Sequence, residues 1–314
     1  MSNGRELVGT YVPIVLGGEQ VRVFCERAGD GIPLLCLHTA GADARQWHHV
    51  MTDPALDEFE AIGFDLPGHG RTLPLGAWWT RQYRLTRGGY RVVVYAVADA
   101  LGLERPAVMG SSMGGAMVLD LVVRDPGRFR AGIGIGAPLS VSGRRTPYLH
   151  HPACDSSEVA AGYTMALNAP TSPAFRTHEN WWIYSQGSPG VYDGDLHFYT
   201  DDWDGRDLQL APAGSRSPLH MLCGEYDYSC TPEMAREAAE VLEADSFTVM
   251  DGIGHFPMIE NPPRFLTHLS PLLARIRAAE AVQHPAASAV TEPERHHDTA
   301  GRRGGDSDGN PEVR

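Results

Sequence analysis

Gly110-Ser111-Ser112-Met113-Gly114-Gly115 lies between a short apolar run, Pro106-Ala107-Val108-Met109, and a helix-forming stretch, Ala116 to Val123. The run reads as a buried strand, the stretch as a helix. A G-x-S-x-G pentapeptide in that context is a nucleophile elbow. The turn is tight enough to strain the serine backbone, so its neighbours must be small. Ser112 is therefore expected at the carboxyl edge of a parallel sheet, with its hydroxyl lifted clear. The N–H of Met113, at the helix start, points into the same space. Ser111 is read as a small-residue requirement whose side chain points away.

A serine hydroxyl is a weak nucleophile until a base takes its proton. That base is normally a histidine held in one tautomer by a carboxylate. For an elbow serine the partners follow in the order Ser, Asp or Glu, His. Pro218-Leu219-His220-Met221-Leu222-Cys223 reads as a strand and runs into Gly224-Glu225-Tyr226-Asp227. Phe247-Thr248-Val249-Met250 reads as another and leads through Asp251-Gly252-Ile253-Gly254 to His255. Loops that follow parallel strands meet at one sheet edge, so both candidates can reach Ser112.

The chain resembles the α/β-hydrolase family. Leu37-His38-Thr39-Ala40-Gly41 is similar to the family's HGxG oxyanion loop, and Phe64-Asp65-Leu66-Pro67-Gly68-His69-Gly70 to its D-x-P-G-x-G turn. Gly224 to Asp227 is similar to the acid turn, and Gly254-His255-Phe256 to the histidine turn. The likeness runs to about Ile276. It implies an α/β fold: a mostly parallel central sheet flanked by helices, with an inserted helical cap. The core would comprise residues 1–138 and 218–279, the cap 139–217, and a disordered tail 280–314.

The resemblance also implies roles. Ser112 would be the nucleophile, His255 the general base and acid, and Asp227 the orienting carboxylate. The N–H groups of Ala40 and Met113 would form the oxyanion hole. Thr39 stands where the family usually has glycine. Its β-branch either restricts the loop or its hydroxyl adds a donor near the oxyanion. Asp65 is read as shaping its turn with Gly68 and Gly70, and Glu225 as the runner-up acid. His38 is expected to brace the oxyanion loop, and His69 to be a turn residue or pocket wall.

Serine favours acyl transfer, and the stretch from His255 to Pro262 resembles general esterases and lactonases, which implies a carboxylic ester, lactone or thioester cleaved through an acyl-enzyme as the leading substrate class. Ser112-Met113-Gly114-Gly115 also resembles carbon–carbon bond hydrolases. Those typically carry asparagine before the nucleophile and tryptophan shortly after the histidine, where this chain has Ser111 and Phe256-Pro257-Met258. A non-hydrolytic member of the family (cyclase, dehydratase or cofactor-free haloperoxidase) and a ligand-binding protein with slow turnover stay open.

Composition fits a soluble enzyme. The chain has 314 residues, 42% hydrophobic and 21% charged, enough for one large domain with an insertion. A formal net charge of -13 argues against nucleic acid, which needs a basic stripe, and against attraction to anionic lipid. Met1-Ser2-Asn3-Gly4-Arg5-Glu6 has no apolar run of the signal-peptide kind, and no stretch is long and apolar enough to span a bilayer. The five cysteines, an odd count without metal-ligand spacing, fit a reducing cytoplasm. His150-His151 with Cys154 and Asp155 is too crowded for a metal site. No metal and no cofactor is expected; the partner is a small-molecule substrate.

Elsewhere, Thr10 to Ile14 and Val21 to Glu26 read as a hairpin closed at Gly17-Gly18. Leu34 to Leu37, Glu60 to Phe64 and Phe129 to Ile135 read as strands. Tyr90 to Leu101, Met234 to Leu242 and a closing segment from Phe265 to Ile276 read as helices. Between Leu139 and Ser217 the strand-helix rhythm stops and large aromatics gather. Most would form the cap's own core. Trp181, Trp182 and Tyr184, with Phe256 beside the histidine, are the candidates for substrate contact. After Ala279 the chain is too poor in apolar residues to order itself.

Overall fold

The computed structural model describes residues 5–150, 154 and 156–283. Eight strands form one sheet: β1 (Val8–Leu16), β2 (Glu19–Ala28), β3 (Ile32–Leu37), β4 (Phe59–Phe64), β5 (Ala107–Ser111), β6 (Gly132–Ile135), β7 (Leu219–Gly224) and β8 (Ser246–Met250). Their order is β1-β2-β4-β3-β5-β6-β7-β8. β1 and β2 are an antiparallel hairpin, and β2 is antiparallel to β4. Every other neighbouring pair is parallel. Gly17 and Gly18 close the hairpin with φ of 58° and 87°, both left-handed, as a two-residue turn matching strand twist requires.

Side chains alternate across a strand, so β3 serves two cores. Leu35 and Leu37 join Val108 on one face, while Leu34 and Cys36 join Met109 on the other. All are fully buried, each leucine contributing about 2 kcal/mol. The helices between β3 and β6 are α1 (His48–Met51), α2 (Arg87–Ala100) and α3 (Met113–Arg124). The Thr86 hydroxyl caps α2 by accepting from Gly89 N–H. Tyr90, Val93, Val94 and Val97 then form its buried stripe. In α3 every residue from Met113 to Val123 is buried, which fits a helix apolar on nearly all sides.

Between β6 and β7 the described residues hold no strand. They form α4 (Ser156–Met165), α5 (Ala174–Ser185), α6 (Val191–Leu196) and a π-helical turn, His197–Asp202. α7 (Pro232–Val241) follows β7, and α8 (Pro257–Glu260) and α9 (Pro262–Gln283) follow β8. β6 begins at Gly132 rather than Phe129, because Gly127 (φ 93°) turns the chain and Phe129 makes only an isolated bridge to Pro126. α9 continues through Pro271 to Gln283, so residues 280–283 are helical where a tail was expected. The remainder of that tail, 284–314, and His151 and Asp155 of the crowded His/Cys/Asp group lie outside the described residues. No described helix is long and apolar enough to cross a membrane.

Register carries these elements to one place. Leu37 pairs with Gly110, Ser111 with Ile135, Ile135 with Leu222, and Gly224 with Met250. The carboxyl ends of β3, β5, β6, β7 and β8 are thus level, and the loops after them share one sheet edge.

Candidate active site

Ser112 has φ 55° and ψ -116°, a conformation non-glycine residues rarely adopt. The sheet and helix around it hold the strain. Its N–H donates to Ile135 O at 2.8 Å, and its carbonyl accepts from Ala116 N–H at 2.8 Å. The neighbouring glycines are steric necessities. A Cβ on Gly114 would lie 2.5 Å from Leu37 O, and one on Gly115 2.7 Å from Ile135 O. The backbone of α3 therefore sits directly against β3 and β6. Ser111 is buried, does not line the site and has no partner for its hydroxyl among the described residues.

Asp227 follows β7 and His255 follows β8. His255 Nδ1–H donates to Asp227 Oδ2 at 2.8 Å, which leaves the imidazole lone pair on Nε2. Asp227 Oδ1 accepts from Ser229 N–H and Cys230 N–H, both at 2.8 Å, so the carboxylate is held at both oxygens. Gly136 (φ 53°) permits the approach: a Cβ there would stand 2.8 Å from Asp227 Oδ2. Glu225 instead accepts from Gly252 N–H at 2.8 Å. Ser112 and His255 line one cavity but share no hydrogen bond in it. Such bonds are often loose without substrate.

Glu260 was not singled out by motif. Its buried carboxylate accepts from Gly254 N–H and Phe256 N–H, both at 2.9 Å, on either side of His255. It also accepts from Ala169 N–H at 2.7 Å and from the Ser172 hydroxyl, in the insertion. One side chain thus fixes the histidine turn and ties it to the helices above.

The loop after β3 is braced in three directions. His38 Nε2 accepts from Leu66 N–H at 3.3 Å, so its proton sits on Nδ1 and is donated to Thr39 O at 2.9 Å. The Thr39 hydroxyl donates to Gln46 Oε1 at 2.9 Å and accepts from Tyr184. Its proton is committed, so Thr39 locks the loop rather than adding an oxyanion donor. Gly41 N–H donates to Asp195 Oδ2 at 2.8 Å. That carboxylate, from α6, also meets His69 Nε2 at 2.7 Å and the Tyr83 hydroxyl at 3.0 Å. His69 is therefore the buried partner of an insertion aspartate. Asp65 accepts from Ala44 N–H and Arg71 N–H and shapes its turn. The N–H groups of Ala40 and Met113 donate to no acceptor among the described residues.

Burial pushes His38 down to about 4, and the neighbouring His69 adds to the effect. The unfolded chain then binds a proton that the native chain refuses between about pH 6.5 and pH 4. His38 should thus cost about 3 kcal/mol of stability as pH falls through that window. His69 has the opposite sign: burial opposes its charge, but Asp195 prevails and raises its pKa. Its contribution is full below its unfolded pKa and is lost as pH rises through the folded one. Urea midpoints at pH 7.5 and 5, for wild type and His38→Asn, isolate the His38 share. Wild type should lose more stability on acidification than the variant; equal losses would show that His38 protonates freely.

The cavity at this edge is small, about 20 Å³ of room for a water-sized occupant. Ala40, Ser112 and His255 line it, with Tyr184, Tyr199 and Phe256 among the aromatics. Trp181 and Trp182 are not among its lining residues. Trp182 is 58% exposed, and Trp181 packs half-buried against the core below β3. Tyr184 takes the inward face of α5; Trp182, two residues back, falls on the opposite face, while Trp181, three back, lies near Tyr184's face but packs against the core beside the cavity. Tyr199, in the π-helical turn, was not separated from the other aromatics by sequence. It is 2% exposed, and its hydroxyl has no partner among the described residues. Burial pushes its pKa well above the usual phenol range, and the neighbouring Ser112 hydroxyl offsets this only in part. It is a neutral donor facing the serine.

Comparison with known proteins gives a family model described as the alpha/beta hydrolase fold, matching residues 32–160. A protein of Mycobacterium phage D29 described as a non-heme haloperoxidase is 32% identical over 114 residues, 36% of this chain and 38% of that protein. The chain spans about a third of the length of the first curated relatives it matches. The uncharacterized carboxylesterase nap of Bacillus subtilis strain 168 is 24% identical over 77% of this chain and 79% of its own. Among solved structures, a thermophilic esterase from Thermogutta terrifontis superposes with a TM-score of 0.73 at 20% identity, covering 86% of this chain and 99% of that one. At that identity the likeness is one of fold.

Proposed function

We propose that the chain, whose residues 32–160 match a family model of the alpha/beta hydrolase fold, is a serine hydrolase of small carboxylic esters, lactones or thioesters. The observation that carries this reading is the Asp227–His255 pair set at the cavity that also holds the strained Ser112. His255 Nε2 takes the Ser112 proton as the hydroxyl attacks the acyl carbon. The N–H groups of Ala40 and Met113, without an acceptor among the described residues, receive the developing oxyanion. The imidazolium, stabilised by Asp227, returns the proton to the leaving group. Water repeats the cycle on the acyl-enzyme and releases the acid.

The helical segment between β6 and β7 acts as a cap. It supplies Tyr184, Tyr199 and the Asp195 clamp on the oxyanion loop. A panel of ester, thioester and lactone substrates tests the reading: wild type should turn over at least one class, and Ser112→Ala none. Turnover of none, or equal turnover by the variant, would sink it.

Tyr199 supplies a third donor to the reacting oxygens. Tyr199→Phe, which keeps the ring, should lower kcat about tenfold with KM little changed, the signature of a hydrogen bond made in the transition state. A rise in KM alone would make the phenol a pocket wall.

A further inference from the structure

We infer that Arg144 receives a carboxylate of the substrate, so that the esters this site takes carry an acid group. The inference rests on the hydrolase reading above and narrows its substrate class. Arg144 lies just after β6, where the chain enters the insertion, and lines the cavity that holds Ser112 and His255. It is half-buried. Its guanidinium donates from Nη1 to the Tyr163 hydroxyl at 2.7 Å, and from Nη2 to the carbonyls of Ser229 and Tyr228. All three acceptors are neutral, and no carboxylate among the described residues pairs with it. The other arginines of the insertion differ: Arg145 pairs with Asp193 and Asp201, Arg176 with Glu179, Arg206 with Asp204, and Arg216 with Glu243.

A guanidinium has five N–H donors in a planar fork, and its best partner is a carboxylate bound by two of them. A half-buried guanidinium that faces the cavity with no carboxylate beside it among the described residues is open to a ligand that brings one. Arg144 is fixed by neutral bonds with donors to spare, so its geometry is set before substrate arrives. Tyr163 extends the site. Its oxygen accepts from Arg144, which leaves its own O–H to donate to the same ligand. Tyr163 is 44% exposed, so the pair stands where the cavity meets solvent. The substrate's acid group would sit at this outer end with its scissile carbonyl at Ser112. In a chain of net charge -13, a local cation also offsets the general repulsion of an anionic substrate.

Two matched pairs of esters test this. Mono-4-nitrophenyl glutarate and 4-nitrophenyl valerate differ by a carboxylate for a methyl at the acyl end. The acetates of 4-hydroxybenzoate and of 4-methylphenol differ likewise on the leaving group. Wild type should favour the acidic member of at least one pair by about tenfold or more in kcat/KM, above spontaneous hydrolysis. Arg144→Met should bring that ratio toward one, and Arg144→Lys should keep part of it. An equal loss on both members would mean that Arg144 only braces the loop after β7 and would overturn the inference. So would a wild type that prefers the neutral member of both pairs, a result that needs no variant to fold. Calorimetry on Ser112→Ala with monomethyl glutarate against methyl valerate reads the same contact without turnover. Tighter binding of the acid there, with no hydrolysis by wild type, would keep the carboxylate site and reject the hydrolase reading.

Discussion

Ser112→Ala should lower kcat on any ester the enzyme accepts by roughly 10^4 or more, while the fold and substrate binding persist. The variant removes one oxygen from a residue whose backbone is held by Ile135 and Ala116, and alanine fits wherever serine does. What survives under the proposed mechanism is the pair of oxyanion donors, the Ala40 N–H in the loop after β3 and the Met113 N–H at the start of α3. Thermal melting and single-turnover kinetics on the same preparation separate loss of chemistry from loss of structure. A melting temperature near wild type with turnover within tenfold would remove Ser112 from the mechanism.

Asp227→Asn should cost about 10^4 in kcat, comparable to the serine, because an amide supplies no charge to the imidazolium and can select the wrong tautomer. Asp227 is also the acceptor for Ser229 N–H and Cys230 N–H, so a modest loss of stability should accompany the kinetic one. Glu225→Gln is the control. Its carboxylate touches Gly252 N–H, a contact glutamine can keep, so kcat should stay within about threefold of wild type. The reverse ranking would transfer the acid's role two residues upstream.

The elements of the sheet edge were legible because each is local. A strand, a tight turn and a helix start are written within ten residues around Ser112, and the acid and histidine turns each follow an apolar run. The hairpin was legible for the same reason, in two glycines between alternating strands. What escaped were contacts between distant segments. Asp195 meets Gly41 across 154 residues, and Glu260 meets Ala169 across 91. Neither has a periodic signature, since a buried carboxylate that caps backbone donors looks like any surface acid in sequence. The phase of α5 escaped too. Trp181, Trp182 and Tyr184 gave its composition, but only packing decides which face turns inward. Trp182 went to solvent and Tyr184 to the oxyanion loop. Tyr199 was hidden among the insertion's other aromatics and stands out only by a buried hydroxyl at the cavity that holds Ser112. The contacts of the insertion are thus set by tertiary packing, while the arrangement of the sheet edge is set by local turns.

The central claim is that Ser112 is the activated nucleophile of this chain. A fluorophosphonate reacts with a serine only where a base has made it nucleophilic and an oxyanion site receives the phosphoryl oxygen. Treating the full chain with such a probe and mapping the adduct by peptide mass spectrometry reads that state without knowledge of the substrate. One adduct per chain, on Ser112, abolished in His255→Ala, is the predicted result. No adduct on the wild-type chain, or one on another residue while Ser112 stays unmodified, would contradict the account.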